Sequence, residues 1–99
     1  HTALVTARAA GSGPLVADCL EALGGLGALQ GAPHAAARLF GAAAVLRDTG
    51  IPRAPADQPG YAADVAVLRQ ALDPDDVAAA WAQGAGRALD AIIAEAAPA

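Results

Sequence analysis

Cys19 is the chain's one thiol, and His34 with a scatter of carboxylates supplies the groups that could act with it as a base and its orienting partner. A helical register places Cys19 in a wide apolar sector, where a small buried side chain behaves as a hydrophobe. His34 falls on the polar face of the following helix, in its first turn, which makes it a solvated histidine. With His1 as the remaining histidine, no zinc-type ligand set can be assembled. Asp73, Asp75 and Asp76 could offer hard oxygen ligands to a divalent cation. No glycine-centred loop or distant glutamate completes a calcium site, however, and the string DPDD opens a helix: Asp73 as N-cap, Pro74 in the first turn, Asp75 and Asp76 at the positive end of the dipole. The glycines of GSGP and GGLG form no phosphate loop, because no Gly-Lys-Ser/Thr follows and the chain has no lysine. Arg38, Arg47 and Arg69 could meet an acidic partner, but each has an acidic residue within helical reach or nearby, so solvated faces are expected. Trp81 and Tyr61 could line a ligand groove; their places in apolar stripes assign them to a core. No catalytic, cofactor-binding or metal-ligating residue is predicted.

The elements carrying these side chains are helical throughout. Residues 1–10 are helix-compatible and stop at Gly11-Ser12-Gly13-Pro14, where flexible residues and a proline end one helix and start another. From Leu15 to Gln30, Asp18, Glu21 and Gly25 share one narrow sector, while Leu15, Val16, Leu20, Leu23, Leu26 and Leu29 cover most of the rest. Such a helix needs neighbours on two sides. Gly31-Ala32-Pro33 is a short break, with Pro33 suited to the first turn of the next helix. There Ala36, Leu39, Phe40, Ala43 and Leu46 form one stripe, and His34, Arg38, Gly41 and Asp48 fall on the opposite side. The string GIPRAPADQPG, residues 50–60, reads as an extended connector without regular structure. A helix restarts at about Tyr61, with Tyr61, Val65, Leu68 and Leu72 at i, i+4, i+7 and i+11. Val77 and Trp81 share the buried face of the DPDD helix, which Gly84-Ala85-Gly86 is expected to end. Leu89–Ala96, with Ile92 and Ile93, makes a short last helix for which Asp90 is the candidate cap. No stretch alternates like a strand.

Composition bounds what such helices can do. Apolar residues make up 56% of the chain, mostly alanine, and with glycine they leave few large side chains to fill a core. Small side chains permit close helix contact instead. A net charge of -4 and scattered arginines argue against gripping phosphates, which requires clustered basic residues. The uncharged run from Ala22 to Ala37 is broken by glycines and Pro33 and is too short to span a bilayer. One cysteine and no secretory signal make a reducing cytoplasm the expected compartment. The absence of methionine marks the chain as an expected piece of something longer.

Helix pairs of this size invite comparison with solenoid repeats. The string Leu20-x2-Leu23-Gly24-x2-Gly27, followed by Ala36-x3-Phe40-x2-Ala43, resembles one full tetratricopeptide repeat. Physically, Gly24 lets the two helices approach closely, and Phe40 is the large knob that fills the space toward the neighbouring pair. Leu20 stands where the family has tryptophan, Gly27 where it has tyrosine, and Asp48 where it has the closing proline, so Phe40 carries more of the packing. Three glycines in one helix cost roughly 1 kcal/mol each relative to alanine, a cost that tertiary contacts must offset. Over about Leu20 to Ala94, including ARLFGAA and AAWAQG, the chain resembles the C-terminal helical-repeat region of large bacterial transcriptional regulators of the LuxR and antibiotic-regulator types and of related predicted ATPases and cyclases. In that family Ala32 is usually an aspartate or asparagine cap, and these strings are packing motifs.

The sequence and the resemblance together predict an all-α domain of tetratricopeptide-like antiparallel helix pairs, an α-solenoid fragment, with a C-terminal capping bundle. Residues 1–49 form the repeat part, 50–60 the connector and 61–99 the capping helices. Leu20, Leu23, Gly24, Ala36, Phe40, Ala43, Tyr61, Val65, Leu68 and Trp81 are the expected packing residues. The expected role is non-catalytic: packing against adjacent repeats or a signalling partner, without nucleic acid, membrane or cofactor, and with homodimerisation at high concentration. The competing reading is a small helical bundle that binds a hydrophobic ligand or serves as part of an enzyme, with Trp81, Tyr61, Phe40 and Cys19 lining one cavity.

Overall fold

The computed structural model describes residues 11 and 13–96, so the helix expected over residues 1–10 lies outside the described residues. Among these, five α-helices follow in order: α1 (Gly13–Leu29), α2 (Pro33–Asp48), α3 (Gln58–Ala71), α4 (Pro74–Ala85) and α5 (Leu89–Ala96). A 3-10 turn covers Pro55–Asp57, and no strand occurs among the described residues. The fold is all-helical.

Prolines open four of the helices, Pro14, Pro33, Pro59 and Pro74 standing at the first or second position, where an absent N–H forfeits no helical hydrogen bond. The same logic corrects the connector. Rather than lacking regular structure, residues 50–60 contain the 3-10 turn opened by Pro55 and the first residues of α3, so that helix starts at Gln58 and not at Tyr61. At α2, Ala32 occupies the N-cap with no side-chain cap bond, and Asp73 does the same at α4. Asp90 lies inside the first turn of α5 rather than ahead of it.

α1 and α2 form an antiparallel pair joined by a three-residue turn: Gly27 faces Ala36, Gly24 faces Phe40, and Glu21 meets Arg47, so numbers fall along one helix as they rise along the other. A Cβ built on Gly24 would stand 3.1 Å from the ring of Phe40, tighter than ordinary van der Waals contact. The ring thus lies directly on the backbone of α1.

The opposite side of α2 is covered at its middle, while His34 and Asp48 at its ends are exposed. Gly41 is buried, and a methyl there would strike the Trp81 carbonyl; Gly84, also buried, sits against the Arg38 carbonyl in the same way. These reciprocal contacts bring α2 and α4 together backbone to backbone at the two glycines, antiparallel. Gly84 therefore lies within α4, which runs on to Ala85 with Gly86 as its cap. α2 becomes the central helix, flanked by α1 and α4.

Two apolar clusters result. Val16, Leu20, Ala42, Ala43 and Ile92 form one, tying α5 to the α1–α2 pair. The other contains Ala36, Phe40, Val65, Leu68, Val77 and Ala80 among its members and joins α2 to α3 and α4.

The glycine crossing gives a sharp expectation for urea denaturation. Gly84→Ala or Gly41→Ala should destabilise the chain by about 1–3 kcal/mol, because a backbone carbonyl cannot step aside as a side chain can. Gly60→Ala, in the first turn of α3 with open space around its Cβ, should instead be neutral or stabilise by up to about 1 kcal/mol.

Candidate functional site

Phe40 is the point at which four helices meet. Its ring packs edge-to-face on Tyr61 of α3, with centroids 5.7 Å apart at 88°, and stacks on Trp81 of α4 at 5.8 Å and 20°. These are the chain's three aromatic residues, gathered in one cluster against Gly24. Each such ring pair contributes about 0.5–1.5 kcal/mol beyond burial alone.

The other expected packing residues divide between the two clusters. Leu20 and Ala43 are fully buried around Ile92, with Leu23 half-buried beside them; Ala36, Val65 and Leu68 are buried on the aromatic side, where Tyr61 and Trp81 remain half-buried. Cys19 packs on the first cluster, whereas Phe40, Tyr61 and Trp81 belong to the second. His34 is exposed, and among the described residues no group of three potential ligands is placed to hold a metal ion.

Sequence reasoning missed the polar centre of the molecule. Glu21 is buried, 9% exposed, and accepts hydrogen bonds from two arginines: Arg47 at 2.8 Å and Arg53 at 2.5 Å. Arg47 also reaches Asp18 at 2.7 Å and donates to the Pro52 carbonyl at 3.3 Å, while Arg53 donates to Gln58 at 2.8 Å. Arg53 in turn lies 3.5 Å over the Tyr61 ring, a cation–π contact linking this clamp to the aromatic cluster. Arg47 is thus not on a solvated face, its side chain being 10% exposed. One signal for Arg53 was available: it stands between Pro52 and Pro55, which stiffen the connector that carries it. Gly25, one turn beyond Glu21, makes room for Asp64 of α3 and lets that helix lie close.

Burial pushes the Glu21 carboxyl up, but hydrogen bonds from Arg53 and Arg47 and their charges outweigh it, holding the group below the usual carboxylate range. The bond to Glu21 raises both guanidinium groups in turn, against the opposing effect of burial. Burial raises the Tyr61 hydroxyl, with Arg53 opposing. All are ionised or neutral as the clamp requires at neutral pH.

Several open surfaces occur among the described residues. A recess of about 390 Å³ is lined by Asp18, Asp57, Tyr61 and Asp64 among others. An apolar groove of about 540 Å³ runs past Pro74, Val77, Ala78, Trp81 and Ala82, with Arg69 at its edge. On α1, Leu26 and Leu29 are 49% and 70% exposed. No helix among the described residues is long and apolar enough to cross a membrane.

Over 78 residues, 78% of its length, the chain is 41% identical to proteins named as candidate HTH-type transcriptional regulators in Mycobacterium bovis and in two strains of Mycobacterium tuberculosis. The match covers 9% of those proteins, so the chain spans less than a tenth of the curated relatives it resembles. No family model and no solved structure matches it.

The clamp predicts an acid-sensitive fold. Because the folded-state pKa of Glu21 is depressed, its contribution is complete above the ordinary glutamate range, about 4.3, and is lost as pH falls through the lower folded value. Glu21→Gln should destabilise the chain at pH 7 by about 2–3 kcal/mol and flatten the fall in stability below about pH 4. Denaturation midpoints at pH 7 and across the acid range provide the check.

Proposed function

We propose that the chain is a non-catalytic, tetratricopeptide-like helical-repeat segment of a bacterial transcriptional regulator, working in the cytoplasm through protein contacts. The observation that carries this reading is the 41% identity over 78 residues to candidate HTH-type regulators. The α1–α2 pair supports it physically: two antiparallel helices closed by Phe40 on Gly24 have the form of a repeat unit. α1 is apolar on its outward side as well as its inner one, as a helix within a stack must be. On the far side of α2, α3 and α4 cover the apolar surface that a terminal unit has to shield.

The same geometry favours presentation over chemistry. Glu21 engages Arg47 and Arg53, which removes two of six arginines from any phosphate-binding role in a chain of net charge -4. Cys19 packs as a small hydrophobe, and His34 is exposed on α2. Leu26 and Leu29 are the apolar contact offered to an adjacent repeat or a signalling protein, and at high concentration to a second copy.

A segment exchange tests the proposal. Replacing the matching 78 residues of the Mycobacterium tuberculosis relative with those of this chain should restore the transcript changes lost on deleting that stretch. Combining Leu26→Asp with Leu29→Asp should abolish the restoration while helicity and protein level hold. A folded exchange that restores nothing, or a double variant as effective as its parent, contradicts it.

A further inference from the structure

We infer that the groove between α3 and α4 binds a small apolar monocarboxylate, its tail lying along Trp81 and its carboxylate on Arg69. This goes beyond the regulatory reading and does not depend on it. The groove exists because each helix packs elsewhere: α3 lies chiefly against α1, α4 lies against α2, and the two touch one another little. Its volume of about 540 Å³ falls within the range of small-molecule sites, roughly 300–1,000 Å³. On the α4 side the wall is wholly apolar, with Pro74, Val77, Ala78, Trp81 and Ala82 at i, i+3, i+4, i+7 and i+8. That wall is formed in advance. The Trp81 indole stacks on Phe40 at 5.8 Å and 20° yet stays half-buried, so the core fixes one of its faces while the rest borders the groove. Gly41 lies directly on the main chain of the same residue. A wall held in place spares a ligand the cost of ordering it.

Charge identifies what the occupant carries. Of the residues lining the groove, Arg69 alone is charged. It is exposed, and unlike Arg47 and Arg53 it has no hydrogen bond or ion pair to another described residue. A planar guanidinium offers two parallel N–H donors that match one carboxylate. Asp73, Asp75 and Asp76 stand near the Pro74 end but do not line the groove. Asp75 and Asp76 lie about 90° and about 170° around α4 from the middle of the apolar stripe, at 100° per residue. Their field, together with the net charge of -4, disfavours phosphates and dicarboxylates. A single carboxylate on an apolar body is the chemistry that fits.

Trp81 is the chain's one tryptophan, so its emission reports on the groove directly. Decanoate titrated into the intact chain, below its micellar concentration, should give a saturable blue shift. Arg69→Gln should weaken decanoate binding at least about tenfold, as loss of a charge-assisted pair requires, and decanol binding by less than about twofold. Ala78→Asp, at an exposed position on the groove wall, should weaken both at least about tenfold while far-UV circular dichroism is unchanged. Ala82→Asp, also exposed, takes its place should helicity fall. Absence of a saturable shift, equal losses of decanoate and decanol in Arg69→Gln, or an undiminished shift in the aspartate variant overturns the inference. So does an emission shift that follows protein concentration alone, which would put a second copy of the chain in the groove.

Discussion

The Phe40 ring rests on a glycine of α1 and between an aromatic residue from each of α3 and α4. In a chain built mostly of alanine and glycine, few side chains are large enough to fill the space between four helices, and protein interiors tolerate little void. The ring can occupy that space because residue 24 has no Cβ. The α2–α4 crossing follows the same economy of volume: where no bulky side chain is available, backbones themselves move into contact, at Gly41 and Gly84. α2 carries both arrangements on different faces, which is why it lies at the centre.

A fold assembled from small residues needs something to fix the connector that carries the chain from α2 to α3. The Glu21 clamp does this with charge. One buried carboxylate is shared by an arginine from α2 and one from the connector, and the second arginine also covers Tyr61. Desolvating these ions opposes their attraction, so the clamp adds less net stability than its short contacts suggest. Its stronger consequence is specific placement: Arg53 can satisfy Glu21, Gln58 and the Tyr61 ring together only when the connector takes this course. The α1–α2 pair is thereby coupled to the helices that cover it.

Helix identity and the Phe40–Gly24 contact were legible because they rest on local spacing: prolines in first turns, apolar residues at helical intervals, and a glycine and phenylalanine at a repeat-like separation. Gly41 and Gly84 were not. Glycine has no side chain to reveal a buried face, so Gly41 sorts with the polar residues around it, and Gly84 sorts with the chain terminators beside it. The Glu21–Arg53 contact spans 32 positions and two breaks in helix, which no local pattern encodes. The connector was misread because Pro55 and Pro59 forbid an interior helix yet suit the opening of one.

These features describe helices held together by small residues, one aromatic cluster and one buried ion clamp. The central claim is that Phe40 and Gly24 form one unit, each requiring the other. A double-mutant cycle with Gly24→Ala and Phe40→Leu, followed by urea denaturation, measures that dependence directly. The account predicts that the added methyl destabilises the chain when phenylalanine is present and does so far less beside leucine, with a coupling of at least about 1 kcal/mol. Effects that add to within about 0.5 kcal/mol would contradict it.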